Sequence, residues 1–171
     1  MDLALKLKEA GCVDLGYSLE SADKDILKDM NKHITVEQFI IQTKILQKVG
    51  ILPTTSIVIG YPNETLETLQ KTFDVCYDLE IYPSTGYLLP QPGTIMYDYA
   101  KEKGIIKDEE EYLLKIGDRQ DFTINLTDSL TKEQIEETTI RNLKRIADKL
   151  KLGLDQGHLL NTGHYRQKYK A

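Results

Sequence analysis

Thr54-Thr55-Ser56-Ile57-Val58-Ile59-Gly60-Tyr61-Pro62-Asn63-Glu64 reads as a buried strand that enters a tight turn and then a helix. Residues 54–59 are almost wholly β-branched, which suits a pleated, packed surface. They do not alternate cleanly between apolar and polar, so cover on both faces is expected, as in a parallel sheet. Gly60 permits a sharp turn or the close approach of a ligand. Pro62 presets the turn, and Asn63 is a candidate cap for the next helix. α/β folds place ligands at such strand ends. An ordinary βα connection without a ligand fits the stretch equally well.

Working outward, the same unit repeats. Leu3, Leu7 and Ala10 mark a short helix stopped by Gly11. Cys12 to Leu19 reads as a strand with Glu20-Ser21 at its end, and Asp23 to Met30 as one or two helical turns. Thr35 and Gln38 form a capping box for a helix to Val49, with Phe39, Ile41, Ile45, Leu46 and Val49 on its apolar side. After the central stretch, Leu66, Leu69, Phe73, Cys76 and Tyr77 mark a helix from about Thr65 to Leu79. Ser84 to Leu89 reads as a third strand, ending in Pro90-Gln91-Pro92-Gly93, and Thr94 caps a helix to Lys103. Strands and helices alternating at this spacing predict an α/β fold of parallel βα repeats. Glu20, Gly60 and Pro90 then fall at C-terminal strand ends, the active-site face of a barrel. A carboxylate such as Glu20 is costly there unless it is paired or solvated. Capping amides, pairing with a lysine, and accepting hydrogen bonds from a ribose all answer that need.

Beyond Gly104 the pattern changes. Asp108 to Tyr112 reads as an acidic surface segment, and Asp121-Phe122-Thr123-Ile124 as a short extended piece. A second capping box, Thr131 with Gln134, opens a helix to about Lys151, with Ile135, Leu143, Ile146, Ala147 and Leu150 for one face. Gly153 to Ala171 is polar. His158 and His164 there have no familiar metal spacing, and the basic stretch Arg166 to Lys170 reads as a solvated end. His33 reads as a solvated loop residue.

A net charge of −5 argues against a nucleic-acid backbone as main partner. Cys12 and Cys76 are the only cysteines and read as small buried hydrophobes, which fits a reducing, cytoplasmic setting. No apolar run is long enough to span a membrane, and Met1-Asp2-Leu3 does not begin a secretory signal.

Four segments carry a resemblance. Gly11-Cys12-Val13-Asp14-Leu15-Gly16-Tyr17-Ser18-Leu19-Glu20-Ser21 resembles the Ala-Gly-Cys-x-x-Ile-Gly-x-Gly-Ile-Glu-Ser segment of radical S-adenosylmethionine enzymes, in a variant common in their cobalamin-associated group. Met30-Asn31-Lys32 with Ile34-Thr35 resembles that family's Met-Asn-Lys-Gly-Ile-Thr. Ile57 to Glu64 resembles its Ile-x-Gly-x-Pro-Gly-Glu-Thr, and Pro90-Gln91-Pro92-Gly93-Thr94 with Met96-Tyr97 its Pro-x-Pro-Gly-Thr-x-Leu-Tyr. The resemblance spans about residues 1–105 and leaves 106–171 as a variable, mostly helical C-terminal region.

The resemblance implies the C-terminal half of a partial (β/α)6, TIM-like barrel. It implies S-adenosylmethionine and a 4Fe–4S cluster as cofactors of the complete parent, with cobalamin a further candidate. The cofactor-binding residues it implies are Ser18, Glu20, Val58, Ile59, Gly60, Leu89 and Pro90. Glu20 would face the ribose or methionine end, Val58 to Gly60 the adenine from one side, and Leu88 to Pro90 the adenine from the last strand. The chain departs from the family at the cluster motif, Cys-x-x-x-Cys-x-x-Cys, which it lacks. Asn63 stands for the usual Gly, and Ser56 and Val58 replace the Gly and Ile of a looser Gly-x-Ile-x-Gly pattern. The expectation is a fragment of a radical S-adenosylmethionine iron–sulfur oxidoreductase or transferase, inactive alone, with the N-terminal barrel half missing and the substrate undetermined. The alternative is a non-catalytic α/β binding or assembly module that pairs with another chain or self-associates through exposed strand edges. An unrelated enzyme with a phosphate site at the Gly60 turn lacks a glycine-rich loop or a lysine in the turn.

Overall fold

The computed structural model describes residues 1–116 and 124–154. Eleven elements follow in order among them. They are α1 (Asp2–Glu9), β1 (Asp14–Gly16), α2 (Lys24–Asp29), α3 (Val36–Lys48), β2 (Leu52–Thr54), β3 (Ser56–Ile59), α4 (Leu66–Asp78), β4 (Ser84–Tyr87), α5 (Ile95–Glu102), α6 (Glu109–Ile116) and α7 (Lys132–Leu150). The residues read above as an extended piece at 121–123, and the histidines and basic stretch after 154, lie outside the described residues.

Every ladder is parallel. β1 pairs with β2, Asp14 opposite Leu52 and Gly16 opposite Thr54, while β3 pairs with β4, Ser56 opposite Ser84 and Ile59 opposite Tyr87. The strand expected from Thr54 to Ile59 is thus divided at Thr55, and its two parts serve different neighbours. The cause is a side chain: the Leu19 N–H donates to Thr55 Oγ1 at 3.0 Å where a backbone carbonyl would serve in a regular ladder. Pairing resumes at a bridge between Glu20 and Ile57. Four residues separate Gly16 from Glu20 against three from Thr54 to Ile57, so the first strand carries one extra residue, as at a bulge.

β3 also departs from expectation in being covered on one face only. Ile57 and Ile59 are buried, whereas Ser56 and Val58 are half-buried. The covered face packs under α4 and α7, in a core of Leu19, Phe39, Ile57, Ile59, Leu69, Phe73, Cys76, Leu143 and Ile146 among others. A second cluster joins Tyr97 and Ala100 to Ile106, Tyr112, Ile124 and Leu126. Residues on both sides of position 105 therefore share each of these cores.

The helix starts follow the sequence. Thr35 and Thr131 form the expected capping boxes with Gln38 and Gln134, and Asp23 and Thr94 cap α2 and α5. Asn63 is not a cap: Thr65 opens α4 in a box with Thr68, and the Asn63 amide donates to Asp29 Oδ2 at 2.8 Å. The acidic segment at Asp108–Tyr112 is the start of helix α6, whose Tyr112 is buried. Ile41 and Leu66, placed on apolar faces above, are exposed. Cys76 is fully buried, but Cys12 is only half-buried and donates to the Asp14 carbonyl at 3.2 Å.

α7 is fastened to α4 by more than apolar contact. Gln70 and Asn142 exchange amide hydrogen bonds at 3.0 and 3.1 Å across 72 residues of sequence. Arg145 pairs with Asp74 and lies over the Tyr77 ring.

Candidate functional site at the strand ends

The expected site residues gather where β1, β3 and β4 end. Ser18 and Ser56 share a hydrogen bond between their hydroxyls at 2.7 Å on the half-open face. Glu20 is laced into the sheet by two backbone bonds, its N–H to the Ser56 carbonyl and its carbonyl from the Val58 N–H, at 3.1 and 2.9 Å. Its φ of +61° is a conformation that L-residues other than Gly, Asn and Asp seldom adopt. Its carboxylate accepts from Lys32 Nζ at 2.8 Å, and its side chain is 14 % exposed. The lysine reading of Glu20 therefore has a named partner, delivered by the loop after α2.

Val58 sits on the same face as Ser56. The Ile59 side chain points the other way, into the core, so only its backbone reaches the strand end. Leu89 is half-buried and Pro90 buried, beyond the end of β4, and the Pro90 carbonyl accepts from the Tyr112 hydroxyl at 2.5 Å. β4 meets the Gly60 turn through Tyr87, whose ring occupies the space a side chain at Gly60 would need.

Gly60 itself has φ +79°. Its N–H donates at 2.6 Å to Oε2 of Glu64, which is 1 % exposed. Burial pushes the Glu64 carboxyl up to about 7, against the downward pull of hydrogen bonds from the Gly60 and Tyr61 backbones. This disposes of the phosphate reading. Successive amides at a turn with positive φ form an anion nest, and here the chain's own carboxylate fills it.

Glu64, Lys32, Tyr87 and the segment 124–130 are site components that the sequence did not single out. The last runs beside the turn. The Leu126 N–H donates to the Gly60 carbonyl and the Asp128 N–H to the Pro62 carbonyl, both at 3.2 Å, and Ser129 Oγ donates to the Glu64 carbonyl at 2.8 Å. Asp128 also takes Lys103, at the C-cap of α5, in an ion pair at 3.0 Å. An available signal was the acid itself: a Glu four residues after a strand-end Gly, at the mouth of a helix.

The donors for an iron–sulfur cluster are not here. The chain has two cysteines, where such a cluster takes three or four thiolates. Burial pushes the Cys76 thiol up to about 12, so it resists forming a thiolate. Among the described residues no group of three or more His, Cys, Asp or Glu is placed to hold a metal. Nor, among them, is any helix long and apolar enough to cross a membrane.

Comparison with known proteins bears on the sequence and the fold. Residues 1–76 match the family model of the radical SAM superfamily. The chain is 35 % identical over 99 residues to an uncharacterised methyltransferase of Pyrococcus horikoshii, covering 57 % of this chain and 22 % of that one. It is 31 % identical over 113 residues to the tRNA-2-methylthio-N(6)-dimethylallyladenosine synthase of Corynebacterium diphtheriae, covering 63 % and 22 %. Among solved structures it resembles coproporphyrinogen III oxidase of Escherichia coli, described as a radical SAM enzyme, with a TM-score of 0.56 and 15 % identity over 88 % of this chain and 29 % of that one. The α/β fold is thereby that of a barrel-forming parallel repeat. In each comparison the chain spans less than a third of the relative's length.

Proposed function

We propose, from the premise that residues 1–76 carry radical SAM superfamily sequence, that this chain is the part of such an enzyme that seats S-adenosylmethionine at the C-terminal ends of barrel strands. The observation that carries the proposal is the junction of Glu20 with β3, where a strained, lysine-paired carboxylate stands beside the half-open Ser18, Ser56 and Val58 face. Strain of that kind, held in place by surrounding bonds, is typical of functional positions.

In this reading the Glu20 carboxylate accepts hydrogen bonds from the ribose hydroxyls, with Lys32 holding it in place. Val58 and the backbone of Ile59 and Gly60 present one wall to the adenine, and Leu89 and Pro90 another. When bound, the cofactor supplies the radical-forming sulfonium; the residues of this chain supply only its position. The cluster ligands do not fit this chain, so the chain alone is inactive and the cluster comes from sequence outside it. One sequence relative is named a methyltransferase and another the synthase of a methylthio-bearing adenosine, which favours group transfer as the reaction class. Cobalamin rests on the sequence resemblance alone, and corrinoid in the purified complete enzyme would be its support.

Titration calorimetry tests the division of labour. Weak or absent binding of S-adenosylmethionine by the chain alone is expected, against micromolar binding once the cluster-bearing sequence is joined to it. Micromolar binding by the chain alone would sink the proposal.

A second reading, an assembly module, is favoured by the sheet margin. Among the described residues β1 and β4 each pair on one side only, and Leu3, Val13 and Leu52 stand well exposed. Light scattering on the eluting chain decides it: a monomer at all concentrations ends the self-associating version.

A further inference from the structure

Glu64 is the only Asp, Glu, Lys, Arg or His in the buried class among the described residues. No lysine, arginine or histidine among them pairs with it. A buried carboxylate without a cation is costly, and closing a turn does not require one. Its connections give it a second use. The carboxylate takes the Gly60 N–H at 2.6 Å, and the Glu64 carbonyl takes the Ser129 hydroxyl at 2.8 Å. Between them, the carbonyls of Gly60 and Pro62 take the Leu126 and Asp128 amides. One residue thus joins the end of β3 to the segment 124–130.

We propose that Glu64 is a proton-operated latch: protonated, it stays buried at the Gly60 turn with residues 124–130 seated against it; ionised, it draws toward water and loosens both. An ionised carboxylate accepts from both amides in strong, charge-assisted bonds. Those bonds offset only part of the cost of burying the charge, so the closed turn favours the protonated carboxyl. Because burial dominates its environment, the change falls near neutrality.

The groups facing it push in one direction. Tyr87 of β4 has a buried hydroxyl with no hydrogen-bond partner among the described residues, in the field of Glu64 and of Glu133 and Glu136 of α7. Asp29 of α2 lies near Tyr61 and accepts from Asn63. Asp128 of the segment is offset by Lys103 at the C-cap of α5. The acids all favour the protonated form of Glu64. That the latch acts on an adenosyl seat rests on the function proposed above; that it acts on residues 124–130 does not.

The test is amide NMR of the full chain from about pH 5 to about pH 9, following Gly60, Leu126 and Asp128. All three are expected to shift with one shared midpoint, and the hydrogen-exchange protection of Leu126 and Asp128 to fall at least about fivefold above it. Glu64→Gln, a neutral isostere, is expected to abolish the midpoint at all three. Ser129→Ala is expected to keep it at Gly60 and weaken it at Asp128, and this arm decides the matter if the glutamine variant does not fold. A midpoint confined to Gly60 in the wild type, or one that survives Glu64→Gln, overturns the latch. The readout needs no cofactor. A complete enzyme that binds no S-adenosylmethionine therefore overturns the functional reading and leaves the latch standing.

Discussion

The ring of Tyr87 lies where a β-carbon on Gly60 would have to be: Cδ1 would stand 2.8 Å from it. Glycine at this position is therefore required twice, once by the tyrosine and once by φ +79°. Alanine would have to hold a left-handed conformation, at about 1–2 kcal/mol, and displace a packed ring, at about 1–3 kcal/mol. Gly60→Ala is expected to cost about 2–4 kcal/mol in urea unfolding, and adding Tyr87→Leu to recover the steric share. A loss under about 1 kcal/mol would mean the ring moves freely.

Glu64 predicts an unusual dependence of stability on pH. Its folded value of about 7 lies above the ordinary 4.5. Between those values the folded chain keeps a proton that the unfolded chain has lost, so folding is favoured most below about pH 4.5 and loses up to about 3 kcal/mol as pH rises to 7. Wild type is expected to melt at lower temperature at pH 8 than at pH 5. Glu64→Gln is expected to flatten that slope and to be the more stable protein at pH 8. Parallel slopes for the two proteins would contradict the burial of a titrating carboxyl.

Glu20→Gly should separate stability from function. Glycine relieves the positive φ, worth about 1 kcal/mol, and forfeits an ion pair worth about 0–1 kcal/mol. The melting temperature is expected to hold or rise slightly. S-adenosylmethionine binding by the complete enzyme is expected to weaken by about tenfold or more, or about 1.4 kcal/mol. Unchanged binding would leave Glu20 with a structural role only.

The two thiols should react one at a time. Cys12 is half-buried, while Cys76 is fully enclosed and its thiol is pushed up to about 12. Native protein at pH 8 is expected to take one equivalent of a maleimide at Cys12, and a second only in urea. Rapid modification of Cys76 without denaturant would show that α7 opens over the core.

What was legible in the sequence was what depends on near neighbours. Thr35 with Gln38 and Thr131 with Gln134 lie three residues apart, and each box states its helix start outright. The motifs around Gly11–Ser21 and Ile57–Glu64 were likewise readable, and residues 1–76 do match the family they resemble. The break at Thr55 was not, because it depends on the Leu19 N–H, 36 residues away. α6 hid behind three consecutive glutamates, its buried Tyr112 seated on Tyr97 of the helix before it. Glu64 stood in plain view, but the Ser129 that bonds to its carbonyl lies 65 residues along the chain. Side chains whose partners lie a whole helix or more away leave no periodic trace.

The amide exchange between Gln70 and Asn142 also has a consequence in time. The two residues are 72 positions apart. A ribosome adding about 5–20 residues per second leaves α4 without its partner for roughly 4–14 seconds. Throughout that interval the flank that will receive Leu143 and Ile146 is bare, an adhesive surface on an otherwise formed sheet. α7, the last helix among the described residues, is thus the one that ends this flank's exposure to aggregation, and a message cut short before it would release a sticky product.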